Sequence, residues 1–331
     1  MAGGEERVLR RRIKSVQSTK KITRAMELIA ASRIRKAEDR VRAAVPYSEA
    51  ITEAVRDLGA AGGEVQSPLL QPREQIKKVA LVVIAADRGL CGGYNGNVFR
   101  AAEGEVKGIV SRDKDYGLIC VGRKAEGYFR FRDYKIDATF GGFSDSPTYE
   151  DARAVARACE HRFLSGEYDR IELVYTRFVS VGTQEVVQRP LVPLDRDITV
   201  GGDARPGNEG TSASYEFEPD PASILEHLLP RYVEARVYAA LLNAAASEHA
   251  ARQRAMKAAT DNAEELIINL SRQMNRARQD AITTEIMEIV GGAEALRGVE
   301  ARPETLLAEA IQVRNVLEEF AAAQSDNSGA K

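Results

Sequence analysis

The sequence predicts an α/β protein whose two ends are long helices paired antiparallel as a coiled coil, with a small α/β domain inserted between them. Two observations carry this. Both ends of the 331-residue chain show long helical periodicity, while the middle alternates continuous apolar β-branched runs with shorter helical stretches. The composition agrees: aromatic residues make up 6% of the chain and there is no Trp, whereas 29% is charged, which suits long solvated helices better than one large core.

The first helix is expected over residues 5–58, with Pro46 its only proline. Ala30, Ile34, Ala37, Val41 and Ala44 recur at alternating spacings of four and three, which is the seam of a coiled coil. Ile22, Met26 and Ile29 extend the same alternation toward the N-terminus. Gly59, Gly62 and Gly63 then stop the helix. In the middle, residues 79–86 (VALVVIAA) read as a strand buried on both faces, 95–111 as a helix, and 116–122 as a second buried strand. A second helix is expected over 148–164, a third strand over 170–180 and a fourth over 184–194. Strands alternating with helices imply a small parallel or mixed sheet with crossover helices.

Residues 195–214 are rich in Gly, Asp and Pro and read as a linker. A very long helical pattern then runs from Pro221 to about Leu296, with Pro230 expected to kink or divide it. At ~1.5 Å per residue the two terminal helices would reach roughly 80 and 100 Å. Neither buries its seam alone, so they are expected to pair with each other. The organisation is therefore residues 1–60, first coiled-coil helix; 75–195, α/β domain; 196–219, linker; 220–296, second coiled-coil helix; and 297–331, an extension. In that extension Pro303 interrupts the helix, residues 304–323 carry an apolar stripe, and 325–331 are expected to be disordered.

Charge and chemistry exclude several classes. The net charge is −2, so no global field selects nucleic acid or a membrane. The first helix is nonetheless a cationic rod between Arg7 and Arg42, opposed only by Glu27, Glu38 and Asp39, and an acidic partner is one reading beside a plain solvated face. Cys91, Cys120 and Cys159 form no CxxC, and His161, His227 and His249 show no metal-ligand spacing, which fits a reducing compartment. No apolar run is long enough for a transmembrane segment, and the basic N-terminus lacks the apolar stretch of a secretory signal.

Two motifs could carry chemistry. The turn DRGLCGGYNG, with Asp87, Arg88, Gly89, Gly92 and Gly93, follows the first strand and opens a helix, the position of a phosphate-binding loop. Its glycine spacing is not G-x-G-x-x-G and no Gly-Lys-Ser/Thr follows, so a tight structural turn is the better reading. Glu285 and Glu288 share a face of the last helix, but nothing beside them forms a cleft, and a polar helix surface is the default. No catalytic, cofactor-binding or metal-binding residue is expected.

Four stretches in order resemble the γ subunits of bacterial F-type ATP synthases. They are residues 13–32 (IKSVQSTKKITRAMELIAAS), 87–93 (DRGLCGG), 246–262 (ASEHAARQRAMKAATDN) and the C-terminal signature formed by Ile282, Thr283, Glu285, Glu288, Gly292 and Ala293. The resemblance covers residues 1–296 and implies a Rossmann-like α/β domain inserted in a coiled coil. It also implies a non-catalytic rotor shaft at the cytoplasmic face of the cell membrane, held peripherally. The implied partners are the α and β subunits of the catalytic ring, the ε subunit and the membrane c-ring, with no nucleic acid and no cofactor. Met26, Arg33, Arg35 and Lys36 would then face acidic loops of β, and Arg252 would belong to a lower contact region. Arg278, Gln279, Thr283, Glu285 and Glu288 would engage β loops higher on the shaft, and Tyr215 and Glu218 would lie at the c-ring. The competing classes are a nucleotide-binding α/β enzyme with coiled-coil oligomerisation arms and a basic scaffold for nucleic acid; ligand binding and salt-dependent DNA binding would separate them.

Overall fold

A computed structural model describes residues 2–61, 67–71, 73, 75–194, 218, 220–296 and 312–314. The elements in order are α1 (Ala2–Ala61), β1 (Lys78–Ile84), α2 (Tyr94–Val110), β2 (Asp115–Val121), α3 (Arg123–Phe131), β3 (Ile136–Phe140), α4 (Tyr149–Leu164), β4 (Arg170–Phe178), β5 (Gln184–Val192) and α5 (Pro221–Leu296). Residues 312–314 are also helical. The chain divides into two compact units, Ser18–Ala263 and a second made of Met1–Gln17 with Glu264–Lys331.

The larger unit is built on a five-stranded sheet in the order β3-β2-β1-β4-β5. β1 pairs in parallel with both β2 and β4, β2 with β3, and β5 runs antiparallel to β4. The period of two along β1 separates two cores. Val79, Leu81 and Val83 pack with Val98, Phe99 and Val106 of α2 and Phe129 of α3. Ala80, Val82 and Ile84 face the other way, into a core shared by Val155, Cys159 and Phe163 of α4, Ile51, Val55 and Leu58 of α1, and Leu225, Leu229 and Val233 of α5. Both long helices thus cover one face of the sheet, and α2 and α3 cover the other.

Within this unit α1 and α5 run antiparallel. Thr23 and Thr260 hydroxyls meet at 2.8 Å, Arg33 and Ala37 share a cavity wall with Ala245 and His249, and Tyr47 lies beside Leu228 and Ala235. Ala30, Ile34 and Ala37 are buried along the contact as expected, with Val41 and Ala44 half-buried. Below Ala30 the seam departs from expectation. Ile22 and Ile29 are 58% and 55% exposed, Met26 is half-buried, and Thr23 and Glu27 take the inner positions. The polar pair Thr23–Thr260 takes the inner place there, and each hydroxyl also lies within hydrogen-bond reach of a carbonyl of its own helix, Lys20 at 3.0 Å and Met256 at 2.9 Å.

Several boundaries follow from local chemistry. α4 starts at a capping box: the Thr148 side chain accepts from the Asp151 backbone N–H, and the Asp151 carboxylate accepts from the Thr148 backbone. Gly122 sits at φ 98°, and a Cβ there would lie 2.2 Å from the Ala85 carbonyl oxygen, so the tight step from β2 into α3 requires glycine. α3 and β3 lie within residues 123–147, to which the sequence reading assigns no element. Pro230 neither divides α5 nor ends it; the helix is unbroken through that position. The expected linker 195–214 and most of the expected helix 304–323 lie outside the described residues.

In the smaller unit, Ile13 of α1 and Leu270 of α5 are buried, and Arg10 pairs with Glu6 at 2.6 Å. Toward its C-terminal end α5 exposes Ile282, Ile286, Met287, Ile289 and Val290. Thr283 and Thr284 turn their hydroxyls onto the Gln279 and Asp280 carbonyls at 2.9 and 2.8 Å, and the apolar side chains stand exposed beside Glu285 and Glu288.

Candidate functional site

The turn that follows β1 is organised by Asp87. Its carboxylate accepts the backbone N–H groups of Arg123 at 3.0 Å, Gly142 at 2.9 Å and Ser144 at 3.0 Å. Burial works to raise the pKa of Asp87, but these donors outweigh it and hold the carboxyl below its usual value. One side chain thereby ties the loops that follow β1, β2 and β3. Leu90 and Gly92 are both left-handed, at φ 63° and 58°, and a Cβ at Gly92 would stand 3.5 Å from Ala255 Cβ of α5. Gly92 thus brings the turn against that helix, and Tyr94 donates its hydroxyl to the Ala244 carbonyl at 3.2 Å.

Below the turn lies an ion pair inside α5. Arg252 and Glu248 meet at 2.6 Å with side chains 9% and 1% exposed, and Arg252 also reaches the Gly89 carbonyl at 3.4 Å. Burial raises the Glu248 carboxyl pKa against the pull of the Arg252 guanidinium. Next to it His249 places Nε2 3.0 Å from the Asp145 carbonyl, and Asp145 binds Arg33 of α1 through its side chain. Asp87, Asp145, Glu248, His249 and Arg252 thus form a polar junction joining the sheet's loops to both long helices.

The expected site residues fall into distinct groups. Arg252 is committed inside the chain to Glu248 and the Asp87 turn. Arg33 is held by Asp145 but keeps 43% of its side chain exposed. Arg35 and Lys36 are exposed, as are Arg278, Gln279, Thr283, Glu285 and Glu288 in the smaller unit and Glu218 before α5. Tyr215 lies outside the described residues. Sequence reasoning missed Asp145 and the buried roles of Glu248 and His249. The spacing of Glu248 and Arg252 is that of an ordinary surface pair, and Asp145 sits in a loop with no pattern.

Chemistry is sparse across the described residues. No group of three or more His, Cys, Asp or Glu side chains is placed to hold a metal ion, and no helix is long and apolar enough to cross a membrane. Cys91, Cys120 and Cys159 are free and buried. Burial pushes the Cys120 and Cys159 thiols up to about 12 and raises that of Cys91, with Glu248 adding to the effect.

Residues 5–296 match the family model described as ATP synthase. The chain is 52% identical over 297 residues to the ATP synthase gamma chain of Frankia casuarinae, covering 88% of this chain and 98% of that one. It is 49% identical over 298 residues to the gamma chain of Acidothermus cellulolyticus, covering 89% and 98%. Among solved structures, a chain of the Euglena gracilis mitochondrial ATP synthase OSCP/F1/c-ring assembly aligns with TM-score 0.65 at 20% identity, covering 91% of this chain and 98% of that one. A chain of the rotor of the same enzyme aligns with TM-score 0.60 at 19% identity, covering 85% and 99%. Those structural matches speak to the fold, and the sequence matches to the family: this chain belongs to the ATP synthase gamma-chain family.

Proposed function

We propose that this chain is the central rotor shaft of an F-type ATP synthase, coupling proton flow through the membrane sector to ATP synthesis and hydrolysis on a ring of α and β subunits. The observation that carries the reading is the match to gamma chains at about half identity along nearly their whole length. The chain contributes no catalytic group. It acts by presenting a different face to each β subunit as it turns, so that each face stabilises a different conformation.

The surface chemistry supports particular contacts. Lys21, Arg35 and Arg42 are exposed along one face of α1 and Lys36 on the next, with no ion pair among the described residues, and these cations suit acidic loops of β. Met26 lies half-buried between them and the seam. The exposed Ile282, Ile286, Met287 and Ile289 of α5, with Arg278, Gln279, Thr283, Glu285 and Glu288, suit a bearing in the ring that is greased rather than bonded. Apolar contacts are non-directional, so they guide rotation without fixing one angle. The α/β domain would meet the ε subunit and the c-ring at the cytoplasmic face of the membrane, held there peripherally, with Tyr215 and Glu218 at the c-ring.

Co-purification tests the reading. The tagged chain should bring down α and β in stoichiometric amount; a chain recovered alone from cells expressing the whole operon would refute it. In the assembled complex Met26→Lys should lower protons pumped per ATP, because an added ion pair with β favours one rotational state over the others. Unchanged pumping efficiency would show that the neck around Met26 is not a coupling contact.

A further inference from the structure

Between α1, the loop after β3 and α5 lies an open cavity of about 360 Å³, lined by Arg33, Lys36, Arg40, Asp145, Ser146 and His249 among others. The three cations follow one another at spacings of three and four and so share one face of α1. Only Arg33 is neutralised, by Asp145, and the same carboxylate oxygen lies 3.9 Å from Arg88. Arg40 donates to the neutral Ser146 hydroxyl, and Lys36 has no ion pair among the described residues. Three cations facing one carboxylate suit an anion.

Two buried atoms narrow its chemistry. Asp145 Oδ1 and His249 Nδ1 are both buried without a hydrogen-bond partner, and both residues line this cavity. A carbonyl oxygen only accepts, so the contact from His249 Nε2 to the Asp145 carbonyl puts the ring proton on Nε2. Burial lowers the His249 pKa and keeps the ring neutral, with Arg252 and Arg33 adding to that effect and Asp145 opposing it. Nδ1 is therefore an acceptor, as is Asp145 Oδ1. Buried acceptors without partners are costly and rare in folded chains. The ligand that satisfies this cavity is an anion that also has a proton to donate. Sulfate and ionised carboxylates have none at neutral pH. Phosphate keeps at least one P–OH there.

We propose that this cavity is a binding site for inorganic phosphate in its dihydrogen form, with Lys36 and Arg40 on the phosphoryl oxygens and Asp145 and His249 each accepting from one of its two P–OH groups. Every residue named at the site belongs to this chain, so binding is tested on the full chain alone. Calorimetric titration at pH 7 and matched ionic strength should show saturable phosphate binding. Sulfate should bind about tenfold more weakly or worse, the value of one charge-assisted hydrogen bond. Lys36→Gln and Arg40→Gln should each weaken phosphate binding, while Arg35→Gln, on another face of α1, should not. Asp145→Asn should abolish the preference for phosphate over sulfate. Should that variant fold poorly, the His249 Nδ1 resonance of the wild-type chain gives the same information, because it should move as phosphate is added. Absence of saturable binding, equal affinity for sulfate, indifference to Lys36→Gln and Arg40→Gln, or an unmoved Nδ1 resonance would each overturn the proposal. An ADP titration separates the free ion from a nucleotide's terminal group, and ADP binding more tightly than phosphate would overturn the assignment to the free ion.

Discussion

Replacing Arg252 by Met should unlock the junction between the β1 turn and α5. The substitution keeps most of the volume but strands Glu248, whose side chain is 1% exposed, without its partner 2.6 Å away. Breaking one half of such a buried pair costs about 3–5 kcal/mol. That penalty should appear as easier local opening, for which Cys91 is a built-in reporter. It lies in the turn, is 2% exposed, and receives a hydrogen bond from Asn95 Nδ2 at 3.2 Å. Where labelling proceeds through brief opening, 3–5 kcal/mol translates into roughly a hundred- to several-thousand-fold faster modification of Cys91. Thiol labelling resolved by peptide mass spectrometry measures this, with Cys120 and Cys159 in the same molecule as internal references. Arg35→Met removes an equal charge from an exposed position and should leave Cys91 unchanged. The double variant Glu248→Gln with Arg252→Met should return the rate close to wild type, because no buried charge is then left unpaired. A single Arg252→Met variant labelling within about threefold of wild type would refute the reasoning, since 3–5 kcal/mol predicts far more.

Further expectations bear on other parts of the molecule. Gly122→Ala should abolish folding of the α/β domain, because φ 98° and a Cβ 2.2 Å from the Ala85 carbonyl leave no relaxed solution; near-native thermal stability would contradict this. Glu160, pushed up to about 7 by burial and by Glu234 against the pull of Arg157, is a carboxyl whose folded pKa exceeds its unfolded value. Its ionised form therefore disfavours the fold, and stability should fall as pH rises from about 4.5 to about 7; Glu160→Gln should flatten that slope in denaturant titrations across the window. Adding dithiothreitol should leave the ATPase rate of the assembled complex unchanged, since all three cysteines are buried with raised pKa values; a reproducible change would point to a reactive thiol.

The architecture was legible where apolar residues carry the signal. The buried runs of β1 and β2 and the Ala30–Ile34–Ala37 seam announce themselves through period two and period three-and-a-half. β3 did not, because as an edge strand it holds four half-buried residues and the exposed Thr139 and so lacks a continuous apolar run. α3 was hidden by its length, 9 residues, and its polar composition. The lower seam misled for a related reason: Thr23 and Glu27 occupy inner positions that hydrophobic periodicity assigns to Ile22 and Ile29. At the candidate site the exposed cations of α1 were readable as a charge run. The junction of Asp87, Asp145 and Glu248 was not, because its members lie far apart along the chain and meet only through the fold.

The sheet of the α/β domain shares one core with both α1 and α5. A module hung on a single tether can swivel about it, as a pendant does. A module whose core is shared with two antiparallel helices, and riveted to one of them through Glu248, Arg252 and the Asp87 turn, has no free axis left. Twist applied to the sheet is handed to the helices without slack, and twist in the helices reaches the sheet the same way.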